Sequence, residues 1–135
     1  MFKVKNEIPS VNDYISIRTA AGLSLKSKEA AEIALPNSIF GVTVYSEEKI
    51  IGIGRIIGDG GCFFEITDMA VIPEYQGKGV GRLIMEALTN WLKENAPKTA
   101  YVSLMAHYGK PAFYEKFGFN YAKMPDASGM YMRIL

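Results

Sequence analysis

Apolar residues recur with a helical period near the start of the chain and with a strand period after it. The segment FKVKNEI (residues 2–8) alternates apolar and polar positions, which predicts a first strand. A helix is predicted next, because Ser10 is suited to its N-cap and Gly22 to its end. One face of that helix carries Val11, Tyr14, Ile15 and Arg18. A second short helix is predicted over residues 26–35.

The middle of the chain changes to strand-like apolar runs. Three such runs, IFGVTVY (39–45), IIGIGRII (50–57) and CFFEITDMAVI (62–72), are joined by the turn sequences SEEK and GDGG and predict a three-strand meander. A long amphipathic helix is then predicted from Gly79 to Pro97. Its buried stripe is expected to consist of Val80, Leu83, Ile84, Ala87, Leu88, Trp91 and Leu92.

The last third of the chain predicts shorter elements. AYVSLMA (100–106) reads as a strand, and PAFYEKFG (111–118) as a short helix opened by a proline and closed by a glycine. FNYAK (119–123) and GMYMRIL (129–135) predict two closing strands. The order β-α-α-β-β-β-α-β-α-β-β predicts one α/β domain over residues 1–135, built on a mixed, mostly antiparallel sheet with flanking helices.

Composition narrows the classes of function. The chain has 135 residues, of which 49% are hydrophobic and 21% charged, with a formal net charge of +1, as in a globular domain. This charge is too small for a broad nucleic-acid-binding surface, so no nucleic-acid partner is expected. Cys62 is the single cysteine, so we expect no disulfide within the chain, no multi-cysteine metal site and no metal cofactor.

The predicted compartment is the cytoplasm, where a lone cysteine stays reduced. The N-terminal sequence MFKVKNEIPS lacks the apolar core and cleavage site of a secretory signal. No apolar run approaches the roughly 20 residues that span a bilayer. We therefore expect a protein that is neither exported nor embedded in a membrane.

The sequence QGKGVGR (76–82) places three glycines and two cations at the start of the long predicted helix. Unpaired N–H groups and the positive end of the helix dipole favour a phosphate there. The stretch lacks the third glycine of the dinucleotide fingerprint at the required spacing, and it lacks the Ser/Thr of a P-loop. On spacing alone, a tight strand-to-helix turn explains the glycines equally well.

The residues before and after QGKGVGR favour a phosphate site over a simple turn. Gln76, Gly79 and Gly81 fit Q-x-x-G-x-G after DMAVIPEY, which resembles the acyl-CoA binding loop of the GNAT superfamily of N-acyltransferases. The later FYEKFGF and the order of elements resemble the same superfamily. The resemblance implies an acetyl-CoA-dependent N-acetyltransferase in which acetyl-CoA is a cosubstrate.

On the donor side, the resemblance implies that backbone N–H groups from Gly77 to Arg82 hold the pyrophosphate of coenzyme A. Lys78 and Arg82 would add charge, although Arg82 is explained equally well as a surface residue. The preceding strand is implied to be bulged, with its free backbone pairing with the pantetheine arm. The implied cofactor-binding residues are Met69, Ala70, Val71, Gln76, Gly77, Lys78, Gly79, Val80, Gly81 and Arg82.

The chemistry needs a neutral amine, a stabilised oxyanion and a proton for the departing thiolate. The resemblance implies that the Met69 N–H stabilises the oxyanion and that Tyr114 protonates the thiolate. Glu65 is the implied general base, with His107 or a water chain as alternatives. Cys62 has no identified base partner, and we expect it to pack as a small apolar side chain rather than to act as a nucleophile.

The acceptor is left open by the sequence. The first two helices and their connecting loop line the acceptor pocket in this superfamily, which implies substrate contacts around Tyr14, Arg18 and Phe40. Arg18 is explained equally well as a surface residue of its helix, and Asp68, three residues after Glu65, is a candidate to hold the amine or a water. The leading interpretation is acetylation of a primary amine on a small molecule by direct attack in a ternary complex. Alternatives are a protein or aminoacyl-tRNA acceptor, a noncatalytic acyl-CoA sensor, and an oligomerisation domain, such as a homodimer that pairs through the GMYMRIL edge.

Overall fold

The computed structural model of the chain describes residues 1–107, 110–122, 127 and 129–135. These residues form two compact units, Met1–Leu104 and Met105–Leu135. The first unit contains β1 (Phe2–Lys5), α1 (Val11–Ala20), α2 (Lys28–Ala34), β2 (Phe40–Ser46), β3 (Lys49–Gly58), β4 (Phe63–Val71), α3 (Val80–Asn95) and β5 (Tyr101–Leu104). The second unit contains α4 (Pro111–Glu115). Short 3-10 helices follow α2, at Leu35–Asn37, and β4, at Pro73–Tyr75.

The predicted starts of the first helices follow from their caps. The Ser10 hydroxyl accepts a hydrogen bond from the Asp13 N–H at 3.2 Å, as an N-cap does. Ser27 caps α2 in the same way, accepting from the Ala30 N–H at 3.0 Å. Gly22 has φ +80°, a left-handed conformation that glycine adopts at little cost after a helix.

The five strands of the first unit form one sheet in the order β1-β2-β3-β4-β5. The first four strands pair antiparallel, and β5 lies parallel to β4. The predicted mixed, mostly antiparallel sheet flanked by helices is therefore confirmed. That one domain spans residues 1–135 stays a prediction.

Helix α3 packs on one face of the sheet through an apolar stripe. Its buried residues are Val80, Ile84, Met85, Leu88 and Leu92. The glycines of β3 let the helix come close, because a Cβ at Gly54 would lie 2.5 Å from Ile84 Cγ2 and one at Gly52 would lie 2.9 Å from Val80 Cγ1. Of the predicted stripe, Leu83, Ala87 and Trp91 are only half-buried, and Met85 is an addition.

Helix α1 packs on the opposite face. Arg55 follows Gly54 on β3, and successive side chains of a strand point to opposite faces. Arg55 reaches an α1 neighbour, since its guanidinium carbon lies 5.6 Å from the centre of the Tyr14 ring. The α1 face that enters the core carries Tyr14, Ile17 and Arg18. Val11 and Ile15, which were predicted on the same face, are half-buried.

The structure differs from the sequence prediction at the two closing strands. Residues 119–122 and 129–135 form no strand, and Lys123 lies outside the described residues. Met130, Met132 and Ile134 are each at least 85% exposed. Alternating apolar residues favour a strand only when a neighbouring backbone is there to pair with, and these residues have no such strand partner in the described chain.

Candidate functional site

Strand β4 contains a bulge at Asp68 and Met69. Ile53 pairs with Ala70 and Arg55 pairs with Thr67, so the single residue between them on β3 faces two residues on β4. Asp68 has φ +58°, a left-handed conformation that is uncommon for a residue other than glycine. The bulge turns the Asp68 side chain towards α1, where it contacts Tyr14.

The pairing of β4 with β5 stops just before the bulge. The last pair is Ile66 with Leu104, and β5 ends there. Beyond this point the edge of β4 that faces away from β3 runs from Thr67 to Val71 without a partner among the described strands. Such an edge can receive an extended ligand as an added strand.

The segment after β4 is tied back to the strand. Following the 3-10 turn at Pro73–Tyr75, the side-chain amide of Gln76 donates to the carbonyl oxygen of Val71 at 2.9 Å. Gly77 and Gly79 then adopt φ values of +76° and +86°. A Cβ on either glycine would meet no other atom within 4 Å, so glycine is required there for backbone conformation and the space above the loop is open.

The N-terminus of α3 opens onto this space. Gly79 is the N-cap and has no side chain to cap the helix. The first helical hydrogen bond runs from the Leu83 N–H to the Gly79 carbonyl at 3.1 Å. The N–H groups of Val80, Gly81 and Arg82 precede that bond, which leaves them to bind an anion or water.

Lys78 and Arg82, the two cations of the loop, are exposed and interact only weakly with neighbouring side chains. The Lys78 ammonium lies 5.3 Å from the centre of the Tyr75 ring. Arg82 Nε lies 3.9 Å from Glu86 Oε1 one helical turn on, with both side chains largely in solvent. Exposed pairs of this kind contribute little to stability, so both cations can reorient towards a bound anion.

Asp68 is the centre of a buried polar cluster. Arg55 Nε donates to Asp68 Oδ2 at 2.8 Å, and Arg18 Nη1 donates to Oδ1. The Tyr14 hydroxyl lies 3.0 Å from both carboxylate oxygens. Burial, and then the neighbouring Asp68 charge, raises the pKa of Tyr14. We call these four residues the Asp68 cluster.

The three residues predicted to contact the acceptor are only partly brought together. Arg18 and Asp68 pair with each other, and both are less than 8% exposed. Phe40 stacks on Trp91 of α3 at 5.1 Å between ring centres, which is on the other face of the sheet. These contacts give all three residues a structural role, and their contact with an acceptor stays a prediction.

The two side chains predicted to move protons lie in different units. Glu65 is half-buried on β4, between Ile57 of β3 and Ser103 of β5 in the sheet. Tyr114 is half-buried on α4, with its ring centre 5.1 Å from that of Phe113. Burial raises the pKa of Tyr114, so the phenol is protonated at neutral pH.

Cys62 and the alternative general base His107 are both exposed. Cys62 lies at the β3–β4 turn, and its predicted role as a packed side chain is wrong, because the turn leaves it in solvent. His107 is exposed in the second unit. The described residues contain no group of three or more His, Cys, Asp or Glu that could hold a metal ion.

Arg55 is a member of the Asp68 cluster that the sequence analysis missed. The sequence did carry a signal, because this arginine lies within the apolar run IIGIGRII, which predicts a buried strand. The structure shows that Arg55 is only 5% exposed. A charged residue is rarely buried without a partner of opposite charge. Such a strand therefore predicts a buried acid elsewhere in the chain, although not which one.

A pocket of about 590 Å³ lies beside α1 at the turn between β2 and β3. Asp13, Glu48 and Glu74 supply acidic groups to its lining, and Lys49 Nζ lies 3.5 Å from Glu74 Oε2. None of the predicted site residues lines this pocket. No helix in the described part of the chain is long and apolar enough to cross a membrane.

Comparisons with known proteins show the family of this chain. The family model described as Acetyltransferase (GNAT) domain matches residues 37–121. A crystal structure from meticillin-resistant Staphylococcus aureus, described as "Protein of Unknown Function" and "Probable Acetyltransferase", is 46% identical with a TM-score of 0.93, covering 99% of this chain and 100% of that one. A GNAT family acetyltransferase from Streptococcus pneumoniae is 25% identical with a TM-score of 0.81, covering 99% and 98%.

Curated relatives match a smaller share of their own length. The "Uncharacterized N-acetyltransferase ycf52" of Pyropia yezoensis is 30% identical over 105 residues, covering 74% of this chain and 58% of that protein. The "[Ribosomal protein bS18]-alanine N-acetyltransferase" of Haemophilus influenzae is 32% identical over 81 residues, covering 56% of each. This chain thus spans somewhat more than half the length of these relatives. It belongs to the GNAT acetyltransferase family.

Proposed function

We propose that this chain is an acetyl-CoA-dependent N-acetyltransferase of a primary amine, with residues 1–135 acting as one catalytic domain. One observation carries the proposal. The unpaired edge of β4 from Thr67 to Val71 leads through a short turn to a glycine loop that is open to solvent at the N-terminus of α3. An extended acyl-pantetheine arm matches the edge, and a pyrophosphate matches the loop.

The donor arm binds along β4 as an added strand. Five residues of strand span roughly 16 Å at about 3.3 Å per residue, enough for an extended arm. Val71 offers its backbone to the pantetheine amides, whereas the backbone of Ala70 faces its partner Ile53 on β3, so Ala70 would only line the arm. The Val71 carbonyl already accepts from Gln76, and because a carbonyl oxygen has two lone pairs it can accept a second hydrogen bond.

The pyrophosphate binds at the loop. Left-handed Gly77 and Gly79 leave no side chain in its path, and the uncapped N–H groups of Val80, Gly81 and Arg82 donate to its oxygens. Lys78 adds charge from a solvent position. The backbone supplies directed hydrogen bonds, and the cations supply attraction that weakens as salt is added.

Acetyl transfer then proceeds by direct attack of the amine. Glu65 accepts the proton that the amine loses, and the amine nitrogen bonds to the acetyl carbonyl carbon. The Met69 N–H donates to the oxygen of that carbonyl as negative charge develops on it. The carbon–sulfur bond breaks, and Tyr114 gives its proton to the departing sulfur. A phenol of raised pKa is a weaker acid than a thiol, so this proton moves only once charge has built up on sulfur.

We assign the acceptor to primary amines on small molecules, and a protein α-amine is the second candidate. The second candidate is supported by the Haemophilus influenzae relative, whose name states an alanine of a ribosomal protein as acceptor. A free-thiol release assay with acetyl-CoA separates the two. It should be run over amines, amino acids and aminoglycosides on one side and peptides that begin with alanine on the other.

Donor binding is tested separately by thermal unfolding. A ligand that binds the folded state raises the melting temperature as its concentration passes Kd. We expect millimolar acetyl-CoA to raise the melting temperature of this protein. No rise at that concentration would contradict the proposed function, whichever amine is tested.

A further inference from the structure

Asp68 combines two features that rarely occur together. Its backbone is left-handed at φ +58°, and its side chain is a buried carboxylate that is 7% exposed. A conformation of this kind persists when the surroundings over-determine it, and such positions cluster at functional sites. The peptide that follows Asp68 carries the N–H of Met69, so the backbone angles of Asp68 decide where that N–H points.

The carboxylate is held from two elements. On Oδ1 it accepts from Arg18 of α1, and on Oδ2 it accepts from Arg55 of β3 at 2.8 Å. The Tyr14 hydroxyl, also on α1, lies 3.0 Å from both oxygens. Two guanidinium charges thus surround one carboxylate, and they would repel each other at close range without it. The side chain of Asp68 therefore has a single favourable position.

The guanidinium groups are themselves fixed. Arg18 Nη2 donates to the Ser24 carbonyl at 2.6 Å and to its hydroxyl at 3.1 Å. Arg55 Nη1 donates to the Ser38 hydroxyl at 2.7 Å. These bonds tie the bulge to the segment after α1 and to the residues that precede β2. Movement of the bulge would disturb contacts with several parts of the first unit at once.

We propose that Asp68 is a positioning residue for acetyl transfer: the Asp68 cluster locks the β4 bulge so that the Met69 N–H points at the acetyl carbonyl oxygen. This inference rests on the proposed function, in which Met69 is the oxyanion donor. Asp68 touches neither donor nor acceptor in this role. It acts through the backbone, because oxyanion stabilisation depends on a donor held within a fraction of an ångström of its place.

Two substitutions separate the effect of the Asp68 carboxylate from that of the backbone conformation. Asp68→Gly adopts the positive φ easily and removes the carboxylate. Asp68→Asn keeps the size of the side chain and tolerates the positive φ, but it removes the charge. Asp59→Asn is the matched control. Asp59 also accepts N–H groups, those of Gly61, Cys62 and Phe63 at 2.9–3.0 Å, but at the other end of β4.

The readouts are kcat, the Kd for acetyl-CoA, and the infrared stretching frequency of an isotope-labelled acetyl carbonyl in the bound donor. In the wild-type protein a hydrogen bond from Met69 lowers this frequency relative to free acetyl-CoA. We expect both Asp68 variants to lose most of the lowering of the frequency and to have a kcat between about tenfold and 10²-fold lower, because misplacement of a reacting group by about 1 Å costs up to about 10²-fold. Their Kd should stay within about threefold, and Asp59→Asn should match the wild type.

The outcomes distinguish the inference from the proposed function. A wild-type protein that neither binds acetyl-CoA nor lowers the carbonyl frequency overturns both. Wild-type frequency and kcat retained in Asp68→Gly and Asp68→Asn overturn the inference alone. Should those variants fail to fold, Tyr14→Phe and Arg55→Met provide the test, since each removes one donor to the same carboxylate. A carbonyl frequency unchanged in both of them also overturns the inference.

Discussion

Gln76 and Val71 are joined by a hydrogen bond of 2.9 Å from the side-chain amide of the first to the backbone carbonyl of the second. This bond closes the turn between β4 and the glycine loop. It fixes the distance between the two parts of the proposed acetyl-CoA site, the edge that receives the pantetheine arm and the N–H groups that receive the pyrophosphate.

Replacing Gln76 should therefore weaken acetyl-CoA binding without abolishing it. For Gln76→Ala we expect a loss of affinity of about three- to tenfold, because a single exposed hydrogen bond contributes about 1 kcal/mol. Isothermal titration calorimetry with acetyl-CoA measures this directly. Asn95→Ala is the control, because Asn95 also donates from its side-chain amide to a backbone carbonyl, that of Trp91, at 2.9 Å. An equal loss of affinity in both variants would contradict the role of Gln76 in shaping the acetyl-CoA site.

Gly79 should be needed for acetyl-CoA binding as well as for the stability of the folded protein. Gly79→Ala and Gly60→Ala place a side chain at matched positions, with φ +86° and +82° and open space around each. Both should lower the free energy of unfolding by about 1–2 kcal/mol, the cost of a left-handed residue other than glycine. Only Gly79→Ala should also weaken acetyl-CoA binding in calorimetry, since its new methyl group faces the pyrophosphate. Equal binding by the two variants would remove the loop from the site.

Tyr114 should affect turnover more than binding. Its proposed task is to protonate the departing sulfur, and removal of a general acid typically lowers the rate by about 10²-fold or more. For Tyr114→Phe we expect kcat in the thiol-release assay to fall by that order, with the Kd for acetyl-CoA little changed. Tyr101→Phe, at an exposed tyrosine of β5, serves as control. An unchanged kcat in Tyr114→Phe would exclude it as the acid.

Ionisation of Tyr14 should lower the free energy of unfolding in alkaline solution. Burial beside Asp68 raises its pKa in the folded state above the ordinary value of about 10. Its contribution to stability is therefore complete below about pH 10 and is lost as pH rises through the folded pKa. Urea unfolding from pH 8 to 11 should show the stability gap between wild type and Tyr14→Phe narrowing above pH 10. A gap that does not change with pH would contradict the buried contact.

The sequence predicted best what depends on neighbouring residues. The cap at Ser10, the end of the first helix near Gly22 and four of the seven residues of the α3 stripe follow from local pattern, and the structure contains each of them. The Asp68 cluster could not be predicted in this way. Asp68 pairs with Arg55 at a separation of 13 residues and with Arg18 at 50 residues, and such pairings follow from topology rather than spacing.

The bulge and the last strands show the same limit. Nothing local in EITDMAV distinguishes the residue that is turned to the other face, and the bulge was expected only from the resemblance to the GNAT superfamily. GMYMRIL has a strand pattern, yet residues 129–135 are exposed and form no strand. The hydrophobic period shows whether a segment favours a helix or a strand. Tertiary contacts decide whether that structure forms.

The proposed acetyl-CoA site is tested most directly by titrating the isotope-labelled protein with acetyl-CoA. The NMR signals of the backbone amides report on binding during the titration. We expect the signals of Met69, Gly77, Gly79 and Gly81 to shift together and to saturate with a single Kd. The signal of Gly60, at the other end of β4, should stay in place. Saturable shifts confined to other residues, or no shift at millimolar acetyl-CoA, would contradict the proposed binding site.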